Sequence, residues 1–214
     1  MLLNIFRNTG LPFSVRLLHA LIMIFCVFLS LSVHEACHGL VAYLGGDRTA
    51  KYSGRLSINP FHHLDLFGTL SLLLFGFGWA KPVPVNPWNF KNKKLGMALT
   101  ALGGPVSNLI LGFIGYIGWT FINPGTVFSL ICYYLVIYNI GLGVFNLIPI
   151  PPLDGSKILN AILPQRYYFK LMQYERYGFI VLIILINLPF FNSFLALMRS
   201  GILSFYDIII QLFI

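Results

Sequence analysis

The sequence contains little charge, and acidic residues are especially scarce. Of its 214 residues only 9% are charged, while 57% are hydrophobic. In soluble globular proteins about a quarter of all residues are charged, so this composition predicts an integral membrane protein. The three cysteines follow no regular spacing, which argues against a disulfide framework. The net charge of +8 comes from basic residues between apolar runs, which indicates contact with anionic lipids rather than nucleic acid.

The scarcity of acids makes each of them informative. A carboxylate near the bilayer centre costs about 2.5–3.5 kcal/mol, so one that adjoins an apolar run is functional by default. Glu35 and Asp154 are the two acids that stand out. The full set is Glu35, Asp47, Asp65, Asp154, Glu175 and Asp207.

Three apolar runs are long enough to cross a bilayer, which takes about 20 residues. They cover residues 17–44, 95–122 and 127–148. A fourth stretch, 177–198, is expected to break near Pro189, and a short apolar tail follows at 202–214. We predict an all-α multi-pass membrane protein that forms a single domain over residues 1–214. Its catalytic core covers 17–156, and accessory helices cover 177–214.

The segment between the first two runs differs in character. Alternation from Tyr52 to Ile58 predicts a short strand. The apolar stretch 66–79 has only about 14 residues, which is marginal for spanning and favours a re-entrant or interfacial piece. Prolines at 82, 84 and 87 favour extended backbone. We therefore predict a small β-structured or re-entrant segment at about 48–94, associated with the membrane.

The first apolar run contains a metal-binding pattern at residues 34–38, His-Glu-Ala-Cys-His. Residues four apart share a helix face, so His34 and His38 point the same way. Two imidazoles on one face beside a carboxylate are typical of a catalytic zinc site, with Glu35 as the general base.

Such a site takes three protein ligands and leaves one position for water. His19 is about 22 Å along the helix from His34, which is too far to contribute. Asp154 follows a proline-rich break at 149–152, and non-helical backbone at membrane depth lines a cavity or is buried in protein. We predict Asp154 as the third ligand, over the alternative of a surface turn.

A shared metal also predicts the topology. The histidine pair lies in the C-terminal half of the first run, and Asp154 follows the third run, so these two runs are parallel. Residues 45–94 must then begin and end on the same side. Basic residues concentrate on that side: Arg48, Lys51, Arg55, Lys81, Lys91, Lys93, Lys94, Lys157, Arg166, Lys170 and Arg176. The positive-inside rule places this side in the cytoplasm and the N-terminus outside.

Two asparagines in the other core runs are candidates for supporting roles. Asn108 lies on a narrow face of small residues, and Asn146 lies eight residues before Asp154. An amide there could bind the substrate carbonyl or a developing oxyanion. It could equally orient a metal ligand, and Asn108 could instead only join helices.

Three motifs together resemble those of the site-2 protease family of intramembrane zinc metalloproteases. They are His34–His38, the Gly-Gly-Pro-Val-Ser-Asn of 103–108, and the Asn-Leu-Ile-Pro-Ile-Pro-Pro-Leu-Asp-Gly of 146–155. The stretch 78–85 is similar to that of the compact, mainly prokaryotic branch without PDZ or CBS domains. The resemblance implies zinc on His34, His38 and Asp154, water activation by Glu35, and assistance from Asn108 and Asn146. It also implies a multi-pass protein of a prokaryotic cell membrane.

The predicted function is therefore zinc-dependent hydrolysis of peptide bonds within or near the transmembrane segments of other membrane proteins. One zinc ion per chain is expected, with a transmembrane protein as substrate and the bilayer as surroundings. Two alternatives are a membrane metal or ion transporter and an inactive family member that binds partner helices. The first would need further ligands along a path, and the second would lack a motif residue. Homo-oligomer formation is left open.

Overall fold

The computed structural model describes residues 2–7, 10–75, 78–164, 166–167, 170, 173 and 175–213. Within these residues the regular structure is helical, apart from one isolated antiparallel bridge between Leu64 and Ala80. The helices are α1 (Leu2–Arg7), α2 (Phe13–Leu44), α3 (Thr49–Tyr52), α4 (Leu66–Phe75), α5 (Lys93–Phe121), α6 (Val127–Asn146), α7 (Asp154–Ile162), α8 (Glu175–Ile186) and α9 (Pro189–Gln211), with short 3₁₀ turns at Pro60–His62 and Pro87–Asn89.

Four helices are long and apolar enough to cross a membrane: α2, α5, α6 and α9. The predicted helical architecture is confirmed, and four candidate spans fit a multi-pass membrane protein. The three long runs predicted from the sequence fall on α2, α5 and α6. Helix α2 begins earlier than predicted, directly after Pro12, and α6 ends at Asn146 rather than at 148.

Helix α5 packs against both α2 and α6. Small residues allow this close approach, since a Cβ atom on Gly115 would lie 2.9 Å from the Cβ of Leu135. A Cβ atom on Gly143 would likewise lie 2.9 Å from Cδ2 of Leu109. The glycine face predicted for the second run therefore faces protein, as expected for helices that associate in lipid.

The strand predicted between Tyr52 and Ile58 is wrong. Tyr52 is the last residue of helix α3, which begins at Thr49. The Asp47 carboxylate accepts hydrogen bonds from the backbone N–H and the hydroxyl of Thr49 at the start of this helix. Gly54 then turns the chain with a φ of +66°, a conformation that interrupts any regular alternation. In the described part of 48–94, Leu64 and Ala80 form the only β pairing, so the segment is not β-structured as predicted.

Helix α4 has ten residues, about 15 Å at 1.5 Å per residue, which is half of a bilayer core. Its two flanks lie side by side, because Leu64 pairs with Ala80 and the N–H of Lys81 donates to the carbonyl of His63 at 2.8 Å. The residues before and after α4 therefore contact each other. A stretch that enters and leaves the membrane on the same side would have this arrangement. Residues 76 and 77 of the predicted 66–79 stretch lie outside the described residues.

The C-terminal region contains the break predicted near Pro189. Helix α8 ends at Ile186, and α9 begins with Pro189 at its first position, where a proline costs no hydrogen bond. The tail predicted at 202–214 is not separate, since α9 continues through it to Gln211. Helix α9 packs Phe191, Leu195 and Tyr206 against α6.

Candidate metal centre

Helix α2 brings two imidazoles together one turn apart. The Nε2 atoms of His34 and His38 lie 3.0 Å from each other, and both residues are buried. Their rings are nearly perpendicular, with centroids 4.6 Å apart. The two Nε2 atoms therefore face one point between helices.

Asp154 reaches the same point from the first residue of α7. Its Oδ2 lies 3.1 Å from the Nε2 of His34 and 3.1 Å from the Nε2 of His38. Ligands about 2.0–2.1 Å from a tetrahedral zinc ion are about 3.3 Å apart, so the triangle formed by these three atoms is close to the size that zinc requires. Two imidazoles and one carboxylate also form a donor set typical of catalytic zinc. The three predicted ligands thus lie together and fit the metal.

Glu35 lies at the edge of this cluster. Its carboxylate is within 4.8 Å of donor atoms of both histidines, so His34, Glu35 and His38 alone would also form a candidate metal group. However, Glu35 Oε2 accepts the backbone N–H of Val83 at 3.0 Å. Because Asp154 contacts both imidazole nitrogens directly, it fits the third position better than Glu35.

The tautomer of each histidine follows from its second nitrogen. The Nδ1 of His38 lies 2.7 Å from the carbonyl of Thr100, which can only accept, so Nδ1 carries the proton. The Nδ1 of His34 lies 2.5 Å from Asn108 Oδ1. That Asn108 atom is the oxygen, because the other amide atom donates to the carbonyl of Ser30 at 3.1 Å. In the neutral imidazole this leaves Nε2 as the unprotonated nitrogen of each ring, the form in which imidazole binds metals.

Asn108 belongs to a buried polar network behind His34. Its amide nitrogen also donates to Asn139 Oδ1 at 2.7 Å, and Asn139 donates to the Ser30 hydroxyl at 2.8 Å. Asn108 is fully buried and does not line the cavity at the metal cluster. This position fits the orienting role considered from the sequence, rather than a contact with substrate.

The sequence pattern did not reveal Ser30, Thr100 or the pairing of Asn139 with Asn108. One signal existed for Ser30, since it lies four residues before His34 on the same face of α2. Thr100 acts through its backbone carbonyl, which no side-chain pattern can indicate.

A cavity of about 520 Å³ opens in front of the cluster. His34, Glu35, His38 and Asp154 all line it, as does Asn146, whose side-chain amide donates to the carbonyl of Leu142 at 3.0 Å. Further lining comes from extended backbone, from α7 and from α8, through Val83, Lys157, Glu175 and Leu182. The predicted base, ligands and one of the two asparagines therefore share one cavity.

Comparison with known proteins identifies the family. Residues 124–188 match Peptidase family M50. The chain is also 40% identical over 202 residues to the "Putative zinc metalloprotease YwhC" of Bacillus subtilis (strain 168), an alignment that covers 88% of this chain and 92% of the relative. The chain belongs to peptidase family M50. The resemblance to site-2 proteases drawn from the three motifs is thereby confirmed.

Two further relatives are less similar in sequence. The chain is 28% identical over 174 residues to the "Putative zinc metalloprotease Rip2" of Mycolicibacterium smegmatis (strain ATCC 700084 / mc(2)155), covering 77% of this chain and 66% of the relative. It is 28% identical over 127 residues to the "Putative zinc metalloprotease MJ0611" of Methanocaldococcus jannaschii, covering 59% and 63%. No solved structure gives a significant match. Family and fold together indicate a membrane metalloprotease.

Proposed function

We propose that this M50 protein is a zinc-dependent intramembrane endopeptidase, folded as one membrane-embedded domain. The observation that carries the proposal is the triangle of His34 Nε2, His38 Nε2 and Asp154 Oδ2, with sides of 3.0–3.1 Å. It is formed by residues of α2 and α7, and α5 contacts both histidines. Helices α2 and α5 are long enough to cross the membrane, and the triangle opens on a cavity. We assign these three residues as ligands of one zinc ion. When bound, zinc acidifies a water molecule and polarises a carbonyl.

Glu35 is the general base in this proposal. One carboxylate oxygen is held by the N–H of Val83, which fixes the side chain at the cavity wall. The other oxygen, Oε1, remains to take a proton from water as the water oxygen bonds to the scissile carbonyl carbon. Glu35 then gives that proton to the amide nitrogen as the C–N bond breaks, so one water is consumed per bond cut.

The two asparagines divide the supporting roles. Asn146 lines the cavity at the end of α6, where its amide can donate to the substrate carbonyl as negative charge develops on it. Asn108 orients His34 from the side opposite the cavity, because its Oδ1 accepts a hydrogen bond from the Nδ1–H of His34. Partners of this kind affect metal affinity or activity by 10–100-fold when they are removed.

The substrate class is inferred from the position of the cavity beside helices long enough to cross the membrane. Transmembrane segments of other membrane proteins are the peptides that meet a cavity between membrane helices, and their peptide bonds must leave helical hydrogen bonding before attack. The extended stretch 82–85 forms part of the cavity wall next to Glu35, where an unwound segment could lie alongside it. We place α2, α5 and α6 as the catalytic core, with the metal side facing the cytoplasm.

The decisive experiment compares the wild type with Glu35→Gln, for zinc content and for cleavage of a reporter with one transmembrane helix. Glu35→Gln should retain zinc, because the ligands are unchanged, and should lose cleavage by at least the 10²–10⁴-fold typical of a general base. Asp207→Asn provides the control, since Asp207 pairs with Tyr116 on α5, away from the cavity. Cleavage by zinc-loaded Glu35→Gln at the wild-type rate would refute the assignment of Glu35.

A further inference from the structure

The two carboxylate oxygens of Asp154 have different partners. Oδ2 faces both histidine Nε2 atoms, whereas Oδ1 lies 3.2 Å from the Nζ of Lys157. Lys157 lies three residues further along the first turn of α7, so both side chains come from the same face of one helix. The lysine thus holds the oxygen that the histidines do not contact.

Helix α7 is itself fixed at both ends, which makes this contact a stable part of the site. At its C-terminal end, Lys94 of α5 donates to the carbonyl of Leu163 at 3.1 Å. At its N-terminal end, a Cβ atom on Gly155 would lie only 2.3 Å from the carbonyl oxygen of Leu147, so α7 lies directly against the end of α6. The backbone that carries Asp154 and Lys157 is therefore held in place.

Asp154 and Lys157 differ in burial, and this difference affects the strength of their ion pair. The side chain of Asp154 is 7% exposed, while that of Lys157 is 40% exposed and lines the cavity. An ion pair between two exposed side chains contributes about 0–1 kcal/mol. Here the carboxylate is buried, so loss of the lysine would leave Oδ1 without its partner in a site of low polarity.

Carboxylates can bind metal ions through one oxygen or through both. If Asp154 used both oxygens, the second would occupy the position that a catalytic zinc site keeps for water. We propose that Lys157 is a positioning residue that holds Oδ1 and so restricts Asp154 to binding through Oδ2 alone. This inference rests on the proposed function, because it takes His34, His38 and Asp154 as metal ligands.

Cobalt(II) substitution tests the mode of binding directly. The visible absorption of cobalt is stronger in tetrahedral four-coordinate sites than in five-coordinate ones. The metal-free protein is titrated with cobalt(II) as wild type, Lys157→Met and Lys157→Arg. We expect Lys157→Met to bind cobalt with weaker visible bands and to lose 10–100-fold in cleavage when loaded with zinc. Lys157→Arg, which can still donate to Oδ1, should restore both the spectrum and the activity.

Lys51→Met is the matched control, because it removes an exposed lysine of α3, whose Nζ lies 3.5 Å from the Tyr43 hydroxyl, without touching Asp154 or α7. Its cobalt spectrum should equal that of the wild type. A wild-type spectrum in Lys157→Met would overturn the inference and leave the proposed function intact. The same weakening in Lys51→Met, or a folded Lys157→Met protein that takes up no cobalt, would also overturn it. Failure of the wild type to bind cobalt or zinc would instead refute the proposed function itself.

Discussion

At the scale of single residues, the metal cluster depends on one position that has no side chain. A Cβ atom on Gly104 would lie 2.5 Å from the Nε2 of His38 and 2.6 Å from the Cε1 of His34. Neither ring can turn away freely, since Asn108 and Thr100 hold their Nδ1 atoms. The two imidazole rings therefore occupy the space that a side chain at position 104 would fill.

Gly104→Ala should consequently weaken zinc binding. Overpacking of a filled site costs about 1–3 kcal/mol, which corresponds to roughly a 5- to 150-fold loss of affinity if it falls on the ligands. Zinc affinity is measured by competition with a chelator. Gly141→Ala on α6 is the control, because a Cβ atom there meets nothing within 4 Å. Equal zinc affinity in both alanine variants and the wild type would contradict the prediction.

The residue scale is also where the sequence was most informative about chemistry. His34 and His38 could be predicted as a pair because helical periodicity alone places them on one face, and Glu35 is adjacent to His34 in the sequence. Asp154 was predictable because acids are rare and a metal needs a third ligand. The orienting contacts were not predictable, since Asn108 meets His34 only through the packing of α5 on α2, and Thr100 contributes a backbone atom.

At the scale of elements, hydrophobic run length predicted α2, α5 and α6 to within four residues at each end. The strand between Tyr52 and Ile58 failed because local polar contacts outweighed a weak alternation. Asp47 is the centre of those contacts. It accepts from Asn86 N–H at 2.7 Å and from the Asn89 side chain at 2.6 Å, in addition to its bonds with Thr49. These bonds connect the C-terminal end of α2 to residues 86–89, which directly follow the extended stretch 82–85 in contact with Glu35.

Asp47→Asn should destabilise this connection. Hydrogen bonds to charged groups contribute about 1.5–3 kcal/mol each, so we expect a loss of at least about 2 kcal/mol in the free energy of unfolding, measured by thermal unfolding in detergent. Asp65→Asn is the comparison, since Asp65 Oδ1 accepts the N–H of Gly68 at the start of α4. A loss for Asp47→Asn no larger than for Asp65→Asn would count against the role of Asp47.

The contribution of Asp47 should also depend on pH. Burial acts to raise the pKa of Asp47, but the bonds from Thr49, Asn86 and Asn89 outweigh it and lower the pKa below its usual value. A depressed folded-state pKa gives stability that is complete above the unfolded value, about 3.9, and is lost as the pH falls through the folded value. The difference in Tm between wild type and Asp47→Asn should therefore be constant near neutral pH and shrink below about pH 4. A difference that grew on acidification would refute this account.

At the scale of the whole molecule, one metal cluster constrains the path of the chain through the membrane. His38 lies near the end of α2 and Asp154 just after α6, so α2 and α6 bring their C-terminal ends to the same depth. The pairing of Leu64 with Ala80 brings the two flanks of α4 together, which fits the proposal that this stretch makes no net crossing. Basic residues crowd the loops on the metal side, including Lys51, Lys91 and Lys93, and so we expect that side in the cytoplasm.

Cysteine labelling tests this orientation in intact cells. In a variant whose three native cysteines are replaced by alanine, Ser53→Cys and Asn123→Cys each introduce one exposed thiol, after α3 and between α5 and α6 respectively. We expect the two thiols on opposite faces of the membrane, because α5, which is long enough to cross it, separates them. A membrane-impermeant maleimide should label Asn123→Cys in intact cells and Ser53→Cys only after lysis. The reverse pattern would place the metal side outside, and labelling of both in intact cells would contradict the shared depth of His38 and Asp154.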